Sequence, residues 1–128
     1  MFSDAANRRY TFWTIACWTL FLALTALASA IDRYEIAPLA ATALSAMIAV
    51  PIAVHAWATF SLINGADEFV RVLTMKRFVA AWGISTTLYC AWGFSEHFAA
   101  APPAPAWTIY PLFWVAFAVA STVIRSTR

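Results

Sequence analysis

The sequence predicts an all-α fold: a polytopic membrane protein built as a four-helix transmembrane bundle, one domain over residues 1–128, with both termini in the cytoplasm. Three observations predict it. Of the 128 residues, 63% are hydrophobic and only 11% charged, with mean hydropathy +0.74, whereas a soluble globule carries about 25% charged residues. The apolar residues gather in four long runs, Tyr10 to Ile31, Ile36 to Ile63, Phe78 to Phe98 and Trp107 to Ile124. Each run reaches the roughly 17 to 25 residues with which a helix crosses a hydrocarbon core about 30 Å thick. Finally, the basic residues alternate by loop: Arg8 and Arg9 precede the first run, Arg33 alone follows it, Arg71, Lys76 and Arg77 follow the second, none follows the third, and Arg125 and Arg128 close the chain. Cytoplasmic loops carry the excess of Lys and Arg, so seven of the eight cations are expected inside and Arg33 outside. Both features fit the bacterial inner (cytoplasmic) membrane.

Inside hydrocarbon every backbone amide and carbonyl must be paired within the protein, so the runs are expected as helices, at about 10–31, 36–63, 66–98 and 107–124; the ten-residue alternation of a β-barrel is missing. The first begins at Tyr10, Phe12 and Trp13, aromatics suited to the interface. Its end, Ala28-Ser29-Ala30, imitates a secretory cleavage site, but the preceding apolar run exceeds the roughly 7 to 15 residues of a signal core, and an uncleaved first helix is expected. Asp32, Tyr34 and Glu35 belong to the outer loop. In the second helix Pro51 removes one backbone hydrogen bond and should bend the segment.

The third helix is expected to start near Ala66 as a cytoplasmic extension. Asn64 reads as its N-cap, Asp67 and Arg71 as an i,i+4 acid-base pair, and Phe69, Val72 and Leu73 as an apolar face. After it, residues 99–106 read as a stiff, proline-rich spacer, because Pro102, Pro103 and Pro105 fix the backbone and disfavour helix before them. The fourth helix opens on Trp107 and Tyr110 at the outer interface.

Small residues recur every fourth position on the second helix (Ala41, Ser45, Ala49, Ala53) and the third (Gly83, Thr87, Ala91, Ser95). Such stripes let backbones approach closely in lipid. They predict packing of these two helices on each other, or on a second copy or a foreign subunit.

Few residues are equipped for chemistry. Asp67, Glu68 and Arg71 form the densest polar cluster and, with the segment to Arg77, the best candidate for docking a cytoplasmic partner. His55, an ionisable residue within a span, is expected to hydrogen-bond between helices near the inner border. It lies about 19 residues, roughly 28 Å of helix, from the outer end of its span, whereas His97 lies at the outer end of the third. The two histidines therefore do not share a haem within one chain, and no cofactor or metal is expected. Ser85, Thr86 and Tyr89 make the most polar mid-span stretch, possible pore or polar contacts, although hydroxyls also bond the carbonyls of their own helix. Cys17 and Cys90 both fall within spans and read as small buried hydrophobes. A net charge of +2, explained by topology, gives no footprint for nucleic acid. The sequence holds no phosphate-binding glycine loop, catalytic triad or His-Glu-x-x-His motif, so an enzyme is not expected.

From Gly65 onward the chain resembles an uncharacterised family of small four-helix proteobacterial inner-membrane proteins. The residues that carry the resemblance are Asp67, Glu68 and Arg71 at the start of the third helix, Gly83 followed by hydroxyl residues, Trp92-Gly93-Phe94-Ser95-Glu96 at its exit, then Trp107, Pro111, Trp114 and a basic C-terminus. Val72 and Lys76 depart from it, standing where the family has a second arginine and an acid. The resemblance implies the same topology, singles out Asp67, Glu68, Arg71 and Glu96 as partner-binding, and brings no activity with it. The sequence thus leads to a non-enzymatic accessory or structural subunit, held in the lipid bilayer and bound to other membrane protein subunits or to itself. The alternative is a small oligomeric channel or transporter lined by the third helix.

Overall fold

The computed structural model describes residues 4–31 and 37–125. Asp32, Arg33, Tyr34 and Glu35 of the expected outer loop, and Arg128, lie outside the described residues. The described chain is helical: α1 (Asp4–Ile31), α2 (Pro38–Asn64), α3 (Glu68–Ala99), a short 3-10 turn (Ala106–Thr108) and α4 (Ile109–Val123). Contacts divide it into two compact units, Met1–Asp67 and Glu68–Arg128.

In the first unit α1 packs on α2. Pro38 opens α2, where its missing N–H costs nothing and its fixed φ suits the first turn; the amide of Ala41 closes that turn on the carbonyl of Ala37 at 3.1 Å. The helix passes through Pro51 without interruption. It ends at Asn64, and the Gly65 amide donates to the Ser61 carbonyl at 3.2 Å. The buried residues are Cys17 and Phe21 of α1, one turn apart, and Pro51, His55, Ala58 and Thr59 of α2.

The second unit pairs α3 with α4. Leu73, Ala81 and Ser85 lie along one face of α3 and are buried, as are Ala116 and Ala120 of α4. Small residues at four-residue spacing on both helices allow the backbones to come close, the packing mode that works without a hydrophobic drive. Phe78 fills the adjoining space, its ring centroid 5.5 Å from Phe113, 6.0 Å from Trp114 and 4.7 Å from Phe117. Tilted and edge-on aromatic pairs at such distances add to the area they bury.

Two ends of this unit are tied by side chains. The guanidinium Nε of Arg77 donates to the carbonyl of Ile124 at 2.9 Å, satisfying a carbonyl just past the end of α4 where the helix leaves it without an intrahelical partner. At the other end Ala100 takes the left-handed conformation (φ 50°) and turns the chain, and the Ala101 amide donates to the carbonyl of Ser95 at 3.2 Å.

Two expectations are corrected, the start of the third helix and the burial of Cys90. The third helix starts at Glu68, not near Ala66, and Asn64 is the last residue of α2 and not an N-cap, because the turn at Gly65 and Ala66 separates the helices. Arg71 forms an ion pair with Glu68, three residues back in the first turn of α3. By length and hydropathy three helical segments qualify as membrane spans, Asn7–Ile31, Pro38–Asn64 and Ala106–Val123; α3 is long enough, but Gly83, Ser85, Thr86, Thr87 and Tyr89 lower its mean hydropathy below that of these three. Finally, Cys17 is buried as expected but Cys90 is exposed on α3.

Candidate functional site

The best-defined polar arrangement of the first unit lies between α1 and α2. His55 is 1% exposed, and its ring Nε2 stands 3.3 Å from the hydroxyl of Thr14 across the helix pair. One turn along α2, Thr59 donates to the carbonyl of His55 at 2.9 Å, and the Tyr10 hydroxyl lies 3.4 Å from the Thr59 Oγ1. The Tyr10 ring stacks on the His55 ring, centroids 6.2 Å apart at 28°. Tyr10 and Thr14 are four residues apart on α1, as are His55 and Thr59 on α2, so each helix presents two polar groups on one face to the other. The arrangement joins the helices by hydrogen bonds where apolar burial contributes little, each worth about 0.6 kcal/mol on average and up to about 1.7 kcal/mol in membrane proteins.

Beside this cluster a cleft of about 510 Å³ opens between the same helices, lined by Arg9, Tyr10, Trp13, Trp57, Ala58, Ser61 and Leu62. Ala58 is its buried floor; Trp13 and Trp57 are exposed.

The sequence singled out His55 but not its partners. Tyr10 was expected as an interface anchor, and Thr14 and Thr59 carried no assignment. The available signal was the four-residue spacing of Tyr10 with Thr14 and of His55 with Thr59, two polar pairs in otherwise apolar helices.

Most of the other candidate residues belong to the second unit. Glu68 and Arg71 pair on the surface of α3. Next to Arg71, a shallow groove of about 500 Å³ runs along α3 over Val72, Met75, Lys76, Val79 and Ala80. Leu73 faces inward while Phe69 is exposed, so the apolar residues of this segment divide between two sides. Glu96 accepts a hydrogen bond from the backbone amide of Ala104 at 2.6 Å, and the Trp92 indole donates to the carbonyl of Pro102 at 3.1 Å. Both residues thereby hold the proline-rich connection against the end of α3.

Among the residues expected to offer polar contacts, Ser85 is buried and donates to the carbonyl of Trp82 on its own helix at 3.2 Å, and Thr86 and Tyr89 are half-buried. Of the small-residue stripes, Ala41 is half-buried while Ser45, Ala49 and Ala53 of α2 are exposed. On α3, Thr87 and Ala91 are exposed, and a Cβ at Gly83 would meet nothing within 4 Å. Ala81 with Ser85 and Ala116 with Ala120, which the sequence reading passed over, supply the buried small pairs instead. Among the described residues no three of His, Cys, Asp and Glu gather as a metal-binding group.

Three apolar helical segments of spanning length in an all-helical chain define a multi-pass α-helical membrane protein. Comparison with protein-family models, with curated proteins and with solved structures gives no match to this chain.

Proposed function

We propose that this chain is a non-enzymatic integral protein of the bacterial inner membrane, spanning it four times with both termini inside, and that it serves as an accessory or structural subunit binding other membrane proteins or further copies of itself. The resemblance to small four-helix proteobacterial membrane proteins and the alternation of basic residues support the topology. At 32 residues, α3 is about 48 Å long, enough to cross the bilayer over Phe78 to Phe98 and still project its charged start into the cytoplasm.

The observation that carries the reading is the start of α3. An exposed ion pair, Glu68 with Arg71, stands beside a mostly apolar groove that also holds Lys76, so charge and apolar surface lie together where a partner from the cytoplasmic side would meet them. The exposed stripe Ser45, Ala49 and Ala53 on α2 supports helix-to-helix association within the membrane in the same way. A channel lined by α3 draws less support, because Ser85 is turned inward and bonded to its own helix.

Purification in mild detergent with mass analysis of co-eluting chains tests the proposal. A stable companion, lost or weakened in Arg71→Ala while helix content holds, is the expected result. A homogeneous self-oligomer that conducts ions in reconstituted bilayers, or equal recovery of the companion by wild type and variant, overturns it.

A further inference from the structure

The cleft between α1 and α2 joins two chemistries that rarely meet by accident. Its walls are apolar and aromatic, Trp13, Trp57 and Leu62 over the small floor of Ala58, while Arg9 and Ser61 bring a fixed cation and a hydroxyl to the same space. Arg9 and Trp13 are four residues apart on α1 and Trp57 and Ser61 four apart on α2, so each helix contributes one polar and one indole side chain to one face. The floor is low because Ala58 is the residue there; a larger side chain would close the gap. Tyr10, the remaining wall, is held by Thr59 and by stacking on His55, so the polar cluster fixes one side of the cleft.

We propose that this cleft binds the headgroup of an anionic phospholipid. Arg9 meets the phosphodiester, Ser61 donates a hydroxyl to it, and the first methylenes of an acyl chain lie against Trp13, Trp57 and Leu62. A volume of about 510 Å³ holds a glycerophosphate with the start of its chains. Basic pockets between membrane helices bind anionic headgroups in this manner, and indoles prefer the headgroup level at which such a pocket would lie. A free phosphate would leave the aromatic walls unused; a zwitterionic lipid would bring its own cation to Arg9. The site shares no residue with the α3 surface proposed to dock a partner.

The test uses the full chain in mild detergent, with lipid retention followed by native mass spectrometry after addition of phosphatidylglycerol or phosphatidylcholine. Phosphatidylglycerol should be retained preferentially, and Arg9→Gln should weaken its retention about fivefold, the loss expected for one basic residue at an anionic surface. Arg125→Gln, which removes the same charge far from the cleft in sequence, should change retention less than twofold. Millimolar inorganic phosphate should not displace the lipid. Equal retention of the two lipids, an equal effect of Arg9→Gln and Arg125→Gln, or displacement by phosphate overturns the proposal. Should Arg9→Gln lose helix content, Trp57→Ala removes a wall and keeps the charge. Retention then falls more than twofold if the site is as described, and unchanged retention overturns it.

Discussion

The carboxylate of Glu96, near the end of α3, accepts a hydrogen bond from the backbone amide of Ala104, eight residues on, at 2.6 Å. With the indole of Trp92 donating to the Pro102 carbonyl, this turns the connection between α3 and α4 from a spacer into a strap folded against the helix end. Proline stiffness alone accounts for an extended segment; the two side chains decide where it lies.

Removing that acceptor should therefore loosen the strap. Glu96→Ala leaves the part-buried Ala104 amide without its partner, and a loss of about 1 to 3 kcal/mol is expected. Glu96→Gln keeps an acceptor oxygen and should lose less. Thermal unfolding in detergent, with limited proteolysis across residues 99–106, measures both; equal effects of the two variants would show that the bond does not hold the strap.

Thr14 and His55 should behave as a coupled pair across α1 and α2. Thr14→Val keeps shape and removes the hydroxyl, and His55→Leu removes the ring nitrogens. A double-mutant cycle should give a coupling energy of about 0.6 kcal/mol, the average for interhelical hydrogen bonds in membranes, and at most about 1.7 kcal/mol. Additive losses in unfolding free energy would contradict the contact.

Ala100 has φ of 50°, a conformation that costs a residue with a Cβ about 1 kcal/mol more than glycine. Ala100→Gly should relieve that strain while giving back part of it through a more flexible unfolded chain. A net gain of roughly 0.5 kcal/mol, seen as a higher melting temperature in detergent, is expected. A lower melting temperature would mean that α3 does not end in this turn.

Ala81 is fully buried and Ala116 and Ala120 nearly so, which makes the α3 to α4 contact intolerant of bulk. Ala81→Leu should destabilise by about 1 to 3 kcal/mol through overpacking. The same change at Ala91, exposed on α3, should be close to neutral. Comparison of the two variants in one unfolding assay checks the assignment of the buried face.

The sequence by itself determined that the chain is helical and that hydrocarbon is its medium. Both follow from local properties: run lengths, the scarcity of charge, and the backbone's need to pair internally in lipid. It also marked His55 as the ionisable residue to watch within a span. Helix ends were legible to within a few residues, and the misses at Asn64 and Ala66 arose because a polar Asn before Gly suits the end of one helix as well as the beginning of another. Tertiary structure alone decided which face of each helix meets its neighbour. In lipid an apolar residue is at home on either side of a helix, so the rotation of α1 against α2 leaves no trace in the hydropathy pattern. That rotation turned Tyr10 and Thr14 toward His55 and Thr59. In the second unit, the corresponding choice buried Ala81 and Ser85 rather than the Gly83 stripe, and gave Glu96 an amide of its own chain to hold.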